Sequence, residues 1–284
     1  MTPIKKIGVI GAGAMGQGIA QVCATAGHGV LFNDVDPKAI DKGIESIRKN
    51  LDQAVAKGKL SVERKDEIIS LIKPSSLQNL RVDLVIEAVV EKLEVKQAIF
   101  SELESINPSS TIFASNTSSL SIASIGSLLR HPNRMVGLHF FNPAHLMKLV
   151  EVVSGRETDS NLIDELVHFV HALGKTPVVV KDSPGFIVNR VARHYYLESL
   201  KMLEQNAADI GTIDALLRSA GFKLGPFELM DLIGNDVNLE VSRSMYNAFD
   251  KVPRFKPNPI QEEKVRLGLL GKKTGQGYYH YEKK

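Results

Sequence analysis

The stretch Lys5–Asp36, "KKIGVIGAGAMGQGIAQVCATAGHGVLFNDVD", decides the fold. Ile7–Ile10 is a short apolar run of the kind that forms a strand covered on both faces. Gly11, Gly13 and Gly16 follow with the spacing G-x-G-x-x-G. Met15, Ile19, Val22 and Cys23 then recur at helical spacing, and Gly27 stands where such a helix would stop. Val30–Phe32 is apolar again and Asp34 comes directly after it. The order is strand, tight turn, helix, strand, acid.

Working outward, Pro37 to about Ile72 has a charged, helical pattern with a turn at Lys57-Gly58-Lys59. "DLVIEAVVE" (Asp83–Glu91) reads as a buried strand, Val95–Leu103 as a helix, and "TIFASNTS" as a strand ending in polar residues. "MVGLHFF", "MKLVEVV" and "TPVVVKD" are three further strands. Strands alternating with helices predict an α/β domain, a Rossmann-like, doubly wound and mostly parallel sheet. The pattern changes at "KDSPGF", where Pro184-Gly185 is turn chemistry. Beyond it Ile187, Val191, Leu197, Leu200 and Leu203 follow a helical period, and no strand is expected before the tail. Residues 1–184 are therefore expected to form the first domain and 185–284 an all-helical second one.

The glycine loop has a physical use in this context. In such a unit the first glycine permits the turn, the second lets the backbone approach a pyrophosphate, and the third lets the helix pack on the sheet. The helix N-terminus then offers free N–H groups to phosphate. Asp34 is placed to accept hydrogen bonds from a ribose, which favours NAD over NADP because a 2′-phosphate would be repelled. The alternative is a glycine-rich turn without a ligand.

"GLHFFNPAHLMKLVEVV" (Gly137–Val153) sets a different question. It is core-like in composition, yet it holds His139 and Glu151, and ionisable groups are costly to bury unless paired. They fall on two expected strands with the turn residue Pro143 between them. If the strands pair, the carboxylate can hold the imidazole in one tautomer for acid–base work. A purely structural ion pair is the competing reading.

Composition narrows the function classes. The 284 residues are 43% hydrophobic and 24% charged, with a net charge of +3, so neither nucleic acid nor a membrane is an expected partner. One cysteine supplies neither an internal disulfide nor a metal cluster, and no metal is expected. No apolar run approaches a membrane span, and the N-terminus leads directly into a strand, so a cytoplasmic protein is expected.

The motifs "GAGAMGQGIAQVCA", "IEAVVE", "FASNTSSLSI", "GLHFFNPAHLMKLVEVV", "KDSPGFIVNR", "GPFELMDLIGNDV" and "GKKTGQGYY" occur in one order along nearly the whole chain. In this the sequence resembles the 3-hydroxyacyl-CoA dehydrogenases, nearest the short bacterial 3-hydroxybutyryl-CoA enzymes. The resemblance implies an NAD-dependent oxidoreductase, a homodimer, acting on a (S)-3-hydroxyacyl-CoA of four carbons in β-oxidation or butanoate metabolism. It makes His139 the general base or acid and Glu151 its partner. Ser118 would bond the reacting oxygen and also touch the cofactor and substrate. Asn189 would hold the same polar group. The loop Gly11, Ala12, Gly13, Ala14, Met15 and Gly16, with Asp34, Glu91, Lys96, Asn142 and Lys273, would contact the cofactor. Counting along the family pattern brings the CoA contacts to Asn50 and Lys57. The second domain would close the substrate cleft and form the dimer. Two rivals remain at this stage: a dehydrogenase of free 3-hydroxy acids, and a non-catalytic relative of the lambda-crystallin type.

Overall fold

A computed structural model describes residues 4–282, and the chain divides between Ser183 and Pro184 into two compact units. The first unit runs β1 (Lys6–Ile10), α1 (Ala14–Thr25), β2 (Gly29–Asn33), α2 (Pro37–Ala56), α3 (Val62–Ser70), β3 (Ile72–Pro74), β4 (Leu84–Glu87) and α4 (Leu93–Ile106). It continues with β5 (Ile112–Ser115), α5 (Ile122–Gly126), β6 (Met135–Phe140), β7 (Leu149–Ser154), α6 (Ser160–Ala172) and β8 (Thr176–Lys181). One sheet holds all eight strands in the order β3-β2-β1-β4-β5-β6-β7-β8. β3 to β6 are mutually parallel, β7 is antiparallel to β6, and β8 is parallel to β7. The order reverses between β1 and β4, which creates a crevice at the carboxyl ends of those strands.

Local chemistry explains the elements. Ile7, Val9 and Ile10 of β1 are buried, as are Val30 and Phe32 of β2 and Leu84 to Ile86 of β4. Such strands carry helices on both faces and read as continuous apolar runs. α2 starts on an Asp36 cap that accepts the Lys38 N–H at 3.0 Å, with Pro37 in the first turn. The expected turn after it is centred on Gly58, at φ +65°. β4 stops at Glu87, short of the Glu91 expected from the apolar run, because the Glu87 carboxylate takes the Val89 N–H at 2.7 Å and turns the chain. β3 was not expected at all: three residues leave no readable alternation.

The second unit is helical: α7 (Val188–Glu204), α8 (Ile210–Ser219), α9 (Pro226–Ile233), α10 (Asn235–Ala248) and α11 (Pro259–Arg266). Its core gathers Tyr196, Leu200, Ile213, Phe227, Met230 and Tyr278. Buried Asp214 of α8 caps α9 by accepting the Phe227 and Glu228 N–H groups at 3.0 and 3.1 Å. Buried Asp231 holds the tail by accepting the Tyr278 and Tyr279 N–H groups and the Tyr281 hydroxyl, all at 2.9–3.0 Å. The tail forms only isolated bridges, Gly271 with Gln276 and Gln276 with His280. Among the described residues, no helix is long and apolar enough to cross a membrane.

The glycine turn separates two steric demands. A Cβ on Gly16 would lie 1.7 Å from the Gly11 carbonyl oxygen, whereas a Cβ on Gly13 would meet nothing within 4 Å. Gly16→Ala is therefore expected to destabilise the first unit by about 3 kcal/mol, and Gly13→Ala to leave it near wild type. Urea denaturation of both variants checks this; equal midpoints would contradict it.

Candidate active site

The turn after β1 leaves the first helix open toward the crevice. Gly11 has φ +97°, and a Cβ there would meet the Ala88 carbonyl oxygen at 2.5 Å. The N-cap of α1 is Gly13, which has no side chain, so the first N–H groups of α1 lack a side-chain cap. Asp34 is half-buried beside them: Oδ2 accepts the Ala12 N–H at 2.7 Å and Oδ1 the Asp36 N–H at 3.0 Å. Each oxygen keeps acceptor capacity for a further donor. A cavity of about 960 Å³ opens here, lined by Gly11, Gly13, Asp34, Ala88 and Val90 among others. Among the described residues its lining includes the acids Asp34 and Glu102 and no lysine or arginine. These residues fit a dinucleotide: uncapped N–H groups for phosphate, room at Gly13, and a carboxylate for the ribose.

His139 and Glu151 are directly opposed across the antiparallel β6–β7 ladder. His139 Nδ1 and Glu151 Oε2 are 2.6 Å apart, with His139 5% exposed and Glu151 0%. The short, enclosed contact is a charge-assisted hydrogen bond. Against an ionised Glu151 the donor is Nδ1–H, and in the neutral ring of that tautomer Nε2 carries the lone pair. The Phe141 ring lies 4.5 Å from the imidazole, centre to centre.

A second charged group stands at the ends of β4 and β5. Lys96 of α4, 1% exposed, places its ammonium 2.6 Å from Glu87 Oε1 and 3.1 Å from Glu91 Oε2. Glu91 Oε1 accepts from the Thr117 hydroxyl at 2.5 Å, the Ser118 N–H at 3.0 Å, and the Ser119 N–H and hydroxyl at 3.2 and 3.0 Å. Burial by itself would raise the Glu91 pKa; the Lys96 charge, the Thr117 hydroxyl and the Ser118 N–H outweigh it and hold the carboxyl below its usual 4.5. The Ser118 hydroxyl makes no hydrogen bond among the described residues and is available to a ligand. Asn116 joins the two groups of residues, because its Oδ1 accepts the Phe140 N–H at 2.8 Å, one residue from His139.

The loop between β6 and β7 carries exposed Asn142, joined to Pro143 by a cis peptide bond. Buried Lys175 supports this loop by donating to the Ala144 and Met147 carbonyls at 2.7 and 2.8 Å. Desolvation lowers the pKa of that lysine. Half-buried Asn50, which donates to Gln21 Oε1 at 3.2 Å, and exposed Lys57 line another cavity, of about 500 Å³. Lys59, Lys148 and Lys175 also line it, and no acid does. In the second unit, Asn189 is half-buried in the first turn of α7, and Lys273 pairs with Asp236 at 2.6 Å.

The structure thus brings together His139 with Glu151, the glycine loop with Asp34, Glu91 with Lys96 and Ser118, and Asn50 with Lys57. Lys96 and Glu91 are not the exposed pair their spacing could suggest, since the ammonium is enclosed. Sequence reasoning missed Glu87, Asn116 and Lys175. For Glu87 the signal was present: an acid inside the apolar run "DLVIEAVV", the same anomaly that exposed His139 and Glu151.

A mostly parallel sheet with an uncapped helix at its switch point is a nucleotide-binding fold of the doubly wound class, and it carries an enclosed imidazole–carboxylate pair. Residues 6–183 match the family model described as 3-hydroxyacyl-CoA dehydrogenase, NAD binding domain, and residues 185–281 match that of the C-terminal domain. The chain belongs to the 3-hydroxyacyl-CoA dehydrogenase family. It is 46% identical to the 3-hydroxyadipyl-CoA dehydrogenase of Escherichia coli K12, over 99% of this chain and 60% of that protein. A crystal structure of a 3-hydroxybutyryl-CoA dehydrogenase from E. coli K12 superposes with TM-score 0.96 at 45% identity, covering 99% of this chain and 61% of that one. The chain therefore spans about three-fifths of the length of these two relatives. An (S)-3-hydroxybutyryl-CoA dehydrogenase of Ralstonia eutropha superposes with TM-score 0.94 at 36% identity, covering 99% of this chain and all of that one.

The lowered Glu91 pKa fixes the sign of one pH effect. Its stabilisation is present above 4.5 and is lost as pH falls through the lower folded value. Glu91→Gln is expected to be less stable than wild type at pH 7 and to lose less stability between pH 5 and 3. Urea midpoints of both proteins across that range test it; parallel curves would contradict it.

Proposed function

We propose that the chain is an NAD-dependent dehydrogenase that interconverts a (S)-3-hydroxyacyl-CoA and its 3-oxoacyl-CoA. The observation that carries this reading is the enclosed 2.6 Å contact between His139 and Glu151. NAD, when bound, supplies the hydride acceptor or donor. His139 Nε2 takes the substrate's hydroxyl proton as the carbonyl forms, and returns it in the reverse direction. Glu151 keeps that nitrogen unprotonated in the resting neutral ring and stabilises the imidazolium that follows. The Ser118 hydroxyl donates to the reacting oxygen, and Asn189 has the same role by family resemblance; such donors favour the oxyanion-like transition state. Gly11 to Gly16 and Asp34 bind the cofactor, with Glu91, Lys96, Asn142 and Lys273 as further contacts. The cavity lining at Asp34, which among the described residues has no lysine or arginine, favours NAD over NADP.

Asn50 and Lys57 take the CoA moiety. The four lysines of their cavity suit its phosphates electrostatically. The acyl group is read as four carbons long, as in the 3-hydroxybutyryl-CoA relatives. The reaction belongs to fatty-acid β-oxidation or butanoate metabolism, in a homodimeric cytoplasmic enzyme. The retained acid–base pair argues against a non-catalytic role, and the basic cavity against a free-acid substrate.

His139→Gln is expected to bind NADH as wild type does while kcat for acetoacetyl-CoA falls about 10³-fold. Fluorescence titration and absorbance at 340 nm measure the two; near-normal kcat would remove His139 from proton transfer. Lys57→Ala is expected to raise KM for acetoacetyl-CoA about tenfold, and far less for the pantetheine thioester that lacks the nucleotide. Equal increases would remove Lys57 from CoA recognition.

A further inference from the structure

Glu87 has no part in the reading above, yet it occupies a singular place in the sheet. It is the last residue of β4, 0% exposed, opposite Ile10 in β1 and Ser115 in β5. The next residue in β1's direction is Gly11, where the phosphate-accepting turn begins. Both Glu87 oxygens are engaged. Oε1 accepts from Lys96 at 2.6 Å and the Val89 N–H at 2.7 Å, and Oε2 from the Ser115 hydroxyl at 2.6 Å. Donors from β5, α4 and the turn after β4 therefore fix this carboxylate from three directions. Glu91 is different: its side chain is 36% exposed and stands on the turn itself. The Lys96 ammonium holds the Oε2 side of Glu91, and the other carboxylate on that ammonium is Glu87.

We infer that Glu87 is a positioning residue, which through Lys96 and Glu91 holds the Thr117–Ser119 turn and so aims the Ser118 hydroxyl. The inference rests on the role proposed above for Ser118. Order passes outward from a rigid, buried acceptor to a partly exposed one. An ammonium between two carboxylates sits where their attractions balance, and Glu91 in turn gathers the N–H groups of Ser118 and Ser119 on one oxygen. That leaves the Ser118 backbone anchored and its hydroxyl unspent. If Glu87 becomes neutral, Lys96 shifts toward Glu91, and Glu91 loses the geometry in which it takes those N–H groups.

The test uses the full chain. Amide exchange is followed by NMR without cofactor or substrate, and steady-state kinetics are measured with NADH and acetoacetyl-CoA. Glu87→Gln keeps the side-chain volume. It is expected to speed exchange at Ser118 and Ser119 about 30-fold while amides in the middle of β1 and β5 stay protected. It is also expected to lower kcat about 30-fold and to change KM for acetoacetyl-CoA by less than about threefold, while KM for NADH rises because Lys96 and Glu91 are proposed cofactor contacts. Because the Ser115 hydroxyl also accepts the Thr117 N–H at 3.3 Å, Ser115 is kept, and Glu87→Asp, which withdraws the carboxylate from Lys96, serves if Glu87→Gln fails to fold. It is expected to produce the same pattern at about a tenth of the size. Unchanged exchange at Ser118 and Ser119, equal acceleration throughout the sheet, or an unchanged kcat overturns the inference. Because the exchange measurement needs no turnover, a wild-type chain inactive on acetoacetyl-CoA would overturn the proposed reaction while leaving the Glu87 linkage separately decided.

Discussion

The antiparallel pairing of β6 and β7 is the constraint on which the candidate site depends. It is the point where an otherwise parallel succession of strands turns back, and the turn places His139 and Glu151 face to face. Side chains alternate across a strand, so a slip of one residue would send one of the two to the opposite face. Each would then be an enclosed ionisable group without its partner, at a cost of about 3–5 kcal/mol for a broken buried pair. Apolar Leu138, Phe140, Val150 and Val152 specify the same register through the opposite face of the strands. Packing and electrostatics thus select one alignment.

The other charged residues of the first unit follow the same logic at the ends of neighbouring strands. Glu87 closes β4, Ser115 closes β5, and Lys96 reaches them from α4. The strands end where their side chains begin to satisfy one another instead of the ladder. That gives a crevice with a fixed backbone and unspent donors: the first N–H groups of α1 and the Ser118 hydroxyl. Preorganised donors of this kind need not be reordered when a substrate arrives.

Much of this was legible in the sequence because it rests on local rules. The glycine turn, its strand and its helix are contiguous, and steric demands at Gly11 and Gly16 come from atoms a few residues away or just past the end of the adjacent strand. The pairing of His139 with Glu151 was legible because two charges in an apolar run need each other. The end of β4 was not, since Val89 and Val90 extend the apolar pattern past the true stop, and only the Glu87 carboxylate marks it. Nor was the burial of Lys96, whose ammonium reaches Glu87 at the end of β4 and Glu91 beyond it, a relation without any sequence period. Lys175 carries no pattern in the sequence, and only the fold shows that it holds two carbonyls of the loop that carries Asn142.

The proton on His139 is the most direct point of attack. Two-dimensional NMR of the ¹⁵N-labelled histidine rings, at a pH where the His139 ring is neutral, reads which nitrogen carries it. The contact with Glu151 requires protonated Nδ1 and lone-pair Nε2 in the wild type, with that preference weakened in Glu151→Gln. A wild-type ring protonated on Nε2 would contradict the account, because the nitrogen required to accept the substrate's proton would already be occupied.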